Sequence, residues 1–288
     1  MKRSLLVPAL FLISLLLAAC GGFAGSPPTF APATEPAASA GETSAPTEAP
    51  EAAGPEAQAA APTTPPPTAT PEEPFPGEGP WEVTFDTADG VTLAGVVSGE
   101  GPGAFVLVPM YPGGPEGWAP FAQQAVEQGF RVLTFDLRGR GASGGEADMT
   151  SALVDVQAAV AFLAGHEADP IVLVGAGQST IPAIQAAAQD AGNGVIDGLA
   201  LLSPLPEDGV LQLGESDLQA LTLPTLWLGA RTDMTQQAES MFEQAGGDNK
   251  ELWIYEGTSL RGTYLLEGAD GPDVTRRLLE FAARVSEG

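Results

Sequence analysis

Residues 171–183 read IVLVGAGQSTIPA, and the succession of residue types in this stretch decides how the chain folds. Ile171 to Val174 form a short, β-branched apolar run, the pattern of a strand covered on both faces. Gly175 and Gly177 break the run. From Thr180 the apolar residues take helical spacing, and Pro182 is admissible because it stands in the first helical turn. A strand passing through a glycine turn directly into a helix is the repeating unit of a parallel α/β sheet.

Outward from this stretch the same alternation recurs. WEVTFDT and VTLAGVVSG flank Asp89-Gly90 and predict a leading hairpin. AFVLVPM predicts a fully buried strand, and WAPFAQQAVEQG predicts a helix that stops at Gly129. RVLTFD predicts the next strand. TSALVDVQAAVAFLAG predicts a helix with Leu153, Val156, Val160 and Leu163 on one face, capped by Thr150 or Ser151. VIDGLALLS, TLPTLWLGA and KELWIYE predict three more strands, with QQAESMFEQAG and TRRLLEFAARV as helices. Such regularity implies a mostly parallel sheet with right-handed crossovers and helices on both faces. Ligands of such sheets bind beyond the carboxyl ends of the strands.

The first part of the chain has another character. Met1-Lys2-Arg3 precede an apolar run that ends at Ala19, and the run is shorter than the ~20 residues that span a bilayer. Residues 1–19 therefore read as a signal segment. The only cysteine of the 288 residues follows, in Leu17-Ala18-Ala19-Cys20. This resembles the lipobox of bacterial lipoproteins, which implies that Cys20 carries acyl lipid such as palmitate and holds the protein at the extracytoplasmic side of a bacterial membrane. Residues 20–80 are rich in Ala, Pro, Thr and Glu, with too little apolar surface to offset the entropy of ordering. They read as a semi-stiff tether ahead of a folded domain at 81–288.

A formal net charge of −26 argues against nucleic acid as a partner, because phosphates require a basic face. A lone cysteine excludes a disulfide framework and a cysteine zinc site. No metal or cofactor is expected. The single histidine, His166, ends the helix before the fifth predicted strand and reads as structural.

FDLRGRGASGG at 135–145, VPMYPGGPEGWAPFA at 108–122, LLSPLPEDGV after the sixth predicted strand and LGARTD after the seventh resemble, in place and order, the α/β-hydrolase superfamily. The likeness is greatest to small bacterial esterase and dienelactone-hydrolase-like members. It implies an α/β-hydrolase fold with a mostly parallel eight-stranded sheet and a nucleophile elbow, G-x-S-x-G, after the fifth strand.

Against that pattern, Gly175-Ala176-Gly177-Gln178-Ser179 puts glycine where the serine belongs. Asp233 stands where the acid belongs, and Arg261 takes the place of the histidine. Arginine stays protonated and offers no lone pair, so it cannot serve as a general base. An acid alone has no imidazole to orient. Gly177, Asp233 and Arg261 are therefore expected to be vestigial triad positions, with Asp233 and Arg261 expected to pair. Gly177 is expected to relax a turn that strains any residue carrying a side chain. Ser179 is expected to cap the following helix, and Ser203 and Ser143 to be structural hydroxyls.

Two functions follow from these residues. One is a pseudoenzyme that binds an unknown small molecule or protein through the inherited pocket, with backbone N–H groups near Met110, Tyr111 and Gln178 accepting an oxygen-rich ligand. The alternative is an atypical carboxylic-ester hydrolase using Ser179 with Asp233. A third possibility, a purely structural surface protein, requires a plugged pocket.

Overall fold

The computed structural model describes Phe75, residues 77–231 and residues 235–287. The signal segment, Cys20, nearly all of the tether and Asp233 lie outside the described residues. The strands are β1 Trp81–Asp86, β2 Thr92–Ser98, β3 Ala104–Leu107, β4 Arg131–Phe135, β5 Ile171–Ala176, β6 Gly198–Leu202, β7 Thr225–Ala230 and β8 Lys250–Tyr255. Among the described residues the helices are α1 Ala119–Glu127, α2 Ala152–Gly165, α3 Thr180–Asp190, α4 Glu215–Gln219, α5 Thr235–Gln244 and α6 Gly271–Glu287. Apolar periodicity does not anticipate α4, which is a little over one turn long.

One sheet contains all eight strands in the order β1-β2-β4-β3-β5-β6-β7-β8. β1 and β2 pair antiparallel, as do β2 and β4; the remaining neighbours are parallel. Every residue of β3, β5, β6 and β7 is buried, which is why these strands read as continuous apolar runs. Successive side chains alternate between two cores. Val106, Leu173, Leu201 and Trp227 pack toward one face, together with Val156 and Leu163 of α2 and Ile184 of α3. Leu107, Val174, Leu202 and Leu228 pack toward the other, with Phe121 of α1 and Leu278 and Phe281 of α6.

Two local expectations are corrected. Neither Thr150 nor Ser151 caps α2. Instead Asp148 accepts from the Thr150 amide at 2.9 Å and from the hydroxyls of Thr150 and Ser151 at 2.7 and 2.9 Å. A carboxylate two or three residues upstream reaches these donors while the hydroxyls serve as donors themselves, and this holds the Asp148 carboxyl below its ordinary pKa. Nor does packing begin at Trp81. The ring of Phe75 stacks on His166 with centroids 4.7 Å apart, and the Glu78 carbonyl accepts from the Gly99 amide at 2.7 Å. An aromatic at the end of the tether has apolar surface to bury, so ordering reaches back past the expected boundary.

The loop after β4 is fastened by ions. Arg138 donates from Nε and its own amide to the two carboxylate oxygens of Asp155, at 2.8 and 3.0 Å, and its two terminal nitrogens reach Asp89 at 2.7 and 3.0 Å. Asp155 on α2 is wholly buried and Arg138 nearly so. The network thus ties the hairpin turn, the loop after β4 and α2 together. Removing one partner from such a buried pair leaves an uncompensated charge. Asp155→Ala is expected to lower the free energy of unfolding by about 3–5 kcal/mol in urea titrations. Hydrogen bonding from Arg138, then from Thr87, holds the Asp89 carboxyl well below its usual range. That contribution is present above the unfolded carboxylate pKa, about 3.9, and is lost as pH falls further. Asp89→Asn is expected to flatten the pH dependence of stability below pH 4, read as the change in urea midpoint between acid and neutral solution.

Candidate functional site at the carboxyl edge of the sheet

The turn between β5 and α3 is formed by Gly177–Ser179 as one turn of 3-10 helix. Gly175 lets this turn press against the start of α3. A Cβ on Gly175 would lie 2.9 Å from both the Ala183 Cβ and the Ser179 carbonyl oxygen, a distance real side chains do not tolerate. Gly177 has φ of +57°, in the left-handed region that glycine enters at no steric cost. A Cβ there would meet only Met110 Cγ and Sδ, both at 3.4 Å. Thr180 closes the turn by donating to the Gly177 carbonyl at 2.7 Å.

Ser179 does not act as the sequence suggested. Its side chain makes no cap to α3; the hydroxyl is fully buried and donates to the Pro109 carbonyl. That bond fastens the loop after β3 to the turn after β5. Caps depend on where the backbone donors point, and here the hydroxyl meets an acceptor in the loop after β3, 70 positions away in sequence.

Around Gly177 the structure opens a cavity of about 370 Å³. Met110 and Tyr111 from the loop after β3, Gln178 from the turn, and Arg261 from the loop after β8 all line it. The loop after β6 supplies a share that sequence reasoning did not assign, namely Ser203, Pro204, Leu205, Glu207 and Asp208. The stretch LLSPLPEDGV was a family landmark, but nothing in its spacing marks these side chains as a wall. Ala230, Ala238 and Ile254 complete an apolar flank.

Four hydrogen bonds hold the wall in place. Ser203 stands at φ of +55°, unusual for a residue with a side chain, and its amide donates to the Leu228 carbonyl at 2.7 Å. Its Oγ accepts from the Gly262 amide at 2.9 Å, joining the end of β6 to the loop after β8. Asp208 Oδ1 accepts from the amides of Val210 and Leu211 at 2.8 and 2.6 Å, shaping the short loop after β6. Met110 lies across the floor: a Cβ on Gly262 would come within 2.3 Å of its sulfur, and Thr263 donates to that sulfur at 3.9 Å. At the rim the Arg140 guanidinium lies over the Tyr111 ring, 4.7 Å from its centroid.

His166 is remote from this cavity. Its ring, nine-tenths or more buried, stacks on Phe75 beside Phe162, at the edge of the sheet where β4 and β5 begin. Its carbonyl accepts from Arg131 at 2.7 Å. Ser143 is structural as expected, donating to the Asp136 carbonyl at 2.6 Å and accepting from the Ala94 amide at 2.9 Å. Among the described residues no three His, Cys, Asp or Glu side chains are grouped to hold a metal ion. Asp233 lies outside those residues, so its expected pairing with Arg261 has no geometry here.

The family model described as the alpha/beta hydrolase family matches residues 102–284. The chain belongs to this family. Among solved structures, the esterase Pf2001 of Pyrococcus furiosus is 18% identical, covers 73% of this chain and 98% of its own, and superposes with a TM-score of 0.61. The esterase EaEST of Exiguobacterium antarcticum is 15% identical, with 70% and 100% of the two chains covered and a TM-score of 0.57. The alpha/beta hydrolase GrgF of Penicillium sp. sh18 is 19% identical, with 72% and 99% covered and a TM-score of 0.60. At these identities the likeness establishes the fold. No curated protein matches the sequence.

The two glycines that face Met110 should differ in tolerance. Gly177→Ala is expected to cost about 1–3 kcal/mol from the left-handed backbone alone, since the methyl group has room. Gly262→Ala carries the same backbone strain and also displaces the Met110 sulfur, so it should cost more. Met110→Ala should recover part of the loss at Gly262 and little at Gly177, as read from urea unfolding of the single and double variants.

Proposed function

We propose that this chain is an α/β-hydrolase-fold protein that binds a ligand without serine-hydrolase activity. The observation that carries this reading is Gly177. At the tip of the turn after β5, where the family places its nucleophile, the residue has no side chain, and an open cavity surrounds it. Arg261 lines the same cavity in the position of the family's histidine, and the only imidazole of the chain is engaged at the other end of the sheet. A hydroxyl needs an adjacent base to attack an acyl carbon near neutral pH, and a guanidinium cannot accept the proton. An open cavity also favours a binding role over a plugged, purely structural one. Met110, Tyr111 and Gln178 are proposed to meet the ligand, which is a small molecule or a segment of another protein. Tethering at the extracytoplasmic face of a bacterial membrane, through lipid on Cys20, completes the proposal and rests on the sequence around Leu17 to Cys20.

The full-length chain is expected to release no nitrophenol from short-chain p-nitrophenyl esters above a no-protein control and to take up no fluorophosphonate label. Gly177→Ser alone should stay unlabelled, whereas Gly177→Ser combined with Arg261→His should acquire the label by regaining nucleophile and base. Labelling of the unmodified chain that disappears in Ser179→Ala would refute the proposal.

A further inference from the structure

We infer that the cavity favours a neutral ligand carrying an N–H donor next to its carbonyl, a secondary amide with apolar arms, over the ester of the same shape. This inference rests on the non-hydrolytic reading above and adds the chemical class of ligand. It starts from Gln178. The side-chain oxygen, Oε1, is sealed from solvent and has no hydrogen-bond partner among the described residues. A buried acceptor left without a donor is a standing penalty in native structures and asks for an explanation. Gln178 is part of the cavity wall, and the terminal torsion of glutamine is soft, so its amide can turn that oxygen to a donor entering the cavity.

The second polar group is Ser203. Its Oγ accepts the Gly262 amide at 2.9 Å, and a hydroxyl that accepts still has its own hydrogen to give. Ser203 therefore suits a carbonyl oxygen, and Gln178 suits the N–H beside it. Both residues belong to one cavity wall, and Gly262 lies between Ser203 and the turn that carries Gln178: its amide holds Ser203, while its Cβ position lies 3.4 Å from the Gly177 nitrogen. Met110, Leu205 and Ile254 offer apolar surface to the ligand's arms. The ionic side chains of the wall carry both signs of charge: Arg261 lines it together with Glu207 and Asp208, and Asp208 already accepts two amides. An ester carbonyl can satisfy Ser203, but an ester brings no donor and leaves the Gln178 oxygen unmet. Sites built to hydrogen-bond a ligand N–H or O–H discriminate strongly against analogues that lack it.

The test is a matched pair of probes, N-butylhexanamide and butyl hexanoate, titrated into the full-length chain with line broadening of ligand NMR signals as the readout. The amide is expected to bind about ten-fold or more tightly than the ester. In Gln178→Leu the ratio of amide to ester affinity should fall below about two-fold, and Gln178→Met serves as a second variant if the first does not fold. Ser203→Ala should weaken both probes together. Equal affinities in the unmodified chain, a preference that survives both Gln178 variants, or no binding of either probe would overturn the inference. The same spectra separate this failure from that of the proposed function: butanol released from the ester would refute the non-hydrolytic reading, whereas equal binding of an intact ester refutes only the preference for an amide.

Discussion

The contact on which the site depends is the close approach of backbone to backbone at Gly175. With no Cβ between them, the end of β5 and the first turn of α3 come together at a distance that any side chain would forbid. The strand consequently passes into the helix through a single tight turn, and Gly177 is presented at its tip above the carboxyl edge of the sheet. Everything else around the cavity is arranged with respect to that tip.

Three loops converge there, and short polar side chains fix them. Ser179 joins the turn to the loop after β3 through the Pro109 carbonyl, and Ser203 joins the end of β6 to the loop after β8 through the Gly262 amide. Each bond connects elements distant in sequence, so the cavity's shape is set by long-range contacts rather than by any one segment. Met110 then fills the space between two glycines, one from the turn and one from the loop after β8. Its unbranched thioether suits an irregular gap where a branched side chain would clash. The result is a wall that is mostly apolar, with a few polar groups placed singly.

The opposite edge of the sheet follows another logic. There Arg131, His166, Phe75 and Phe162 form a compact group in which a guanidinium donates to a carbonyl and rings stack on one another. An imidazole so placed stabilises the base of the domain. The two ends of the parallel strands thus divide the labour: their amino ends hold the structure, and their carboxyl ends surround an opening.

The sequence by itself determined the order of the strands and of every described helix but α4, the doubly covered sheet and the identity of the residues at the turn after β5, because these depend on apolar periodicity and on glycine at fixed spacing. Gly177 and Arg261 were legible as departures from a family pattern for the same reason, since order along the chain is all that such a pattern requires. Tertiary structure decided the rest. Ser179 reads as a cap from its neighbours, yet it bonds to a carbonyl 70 positions away, a partner that exists only once β3 and β5 lie side by side. Asp148 outcompetes Thr150 and Ser151 because a carboxylate accepts from several donors at once. The loop after β6 becomes a wall, and the Gln178 oxygen is left without a donor, only through the convergence of segments that the sequence lists far apart. Periodicity records what each segment does locally; which groups end up facing one another is fixed by packing across the sheet.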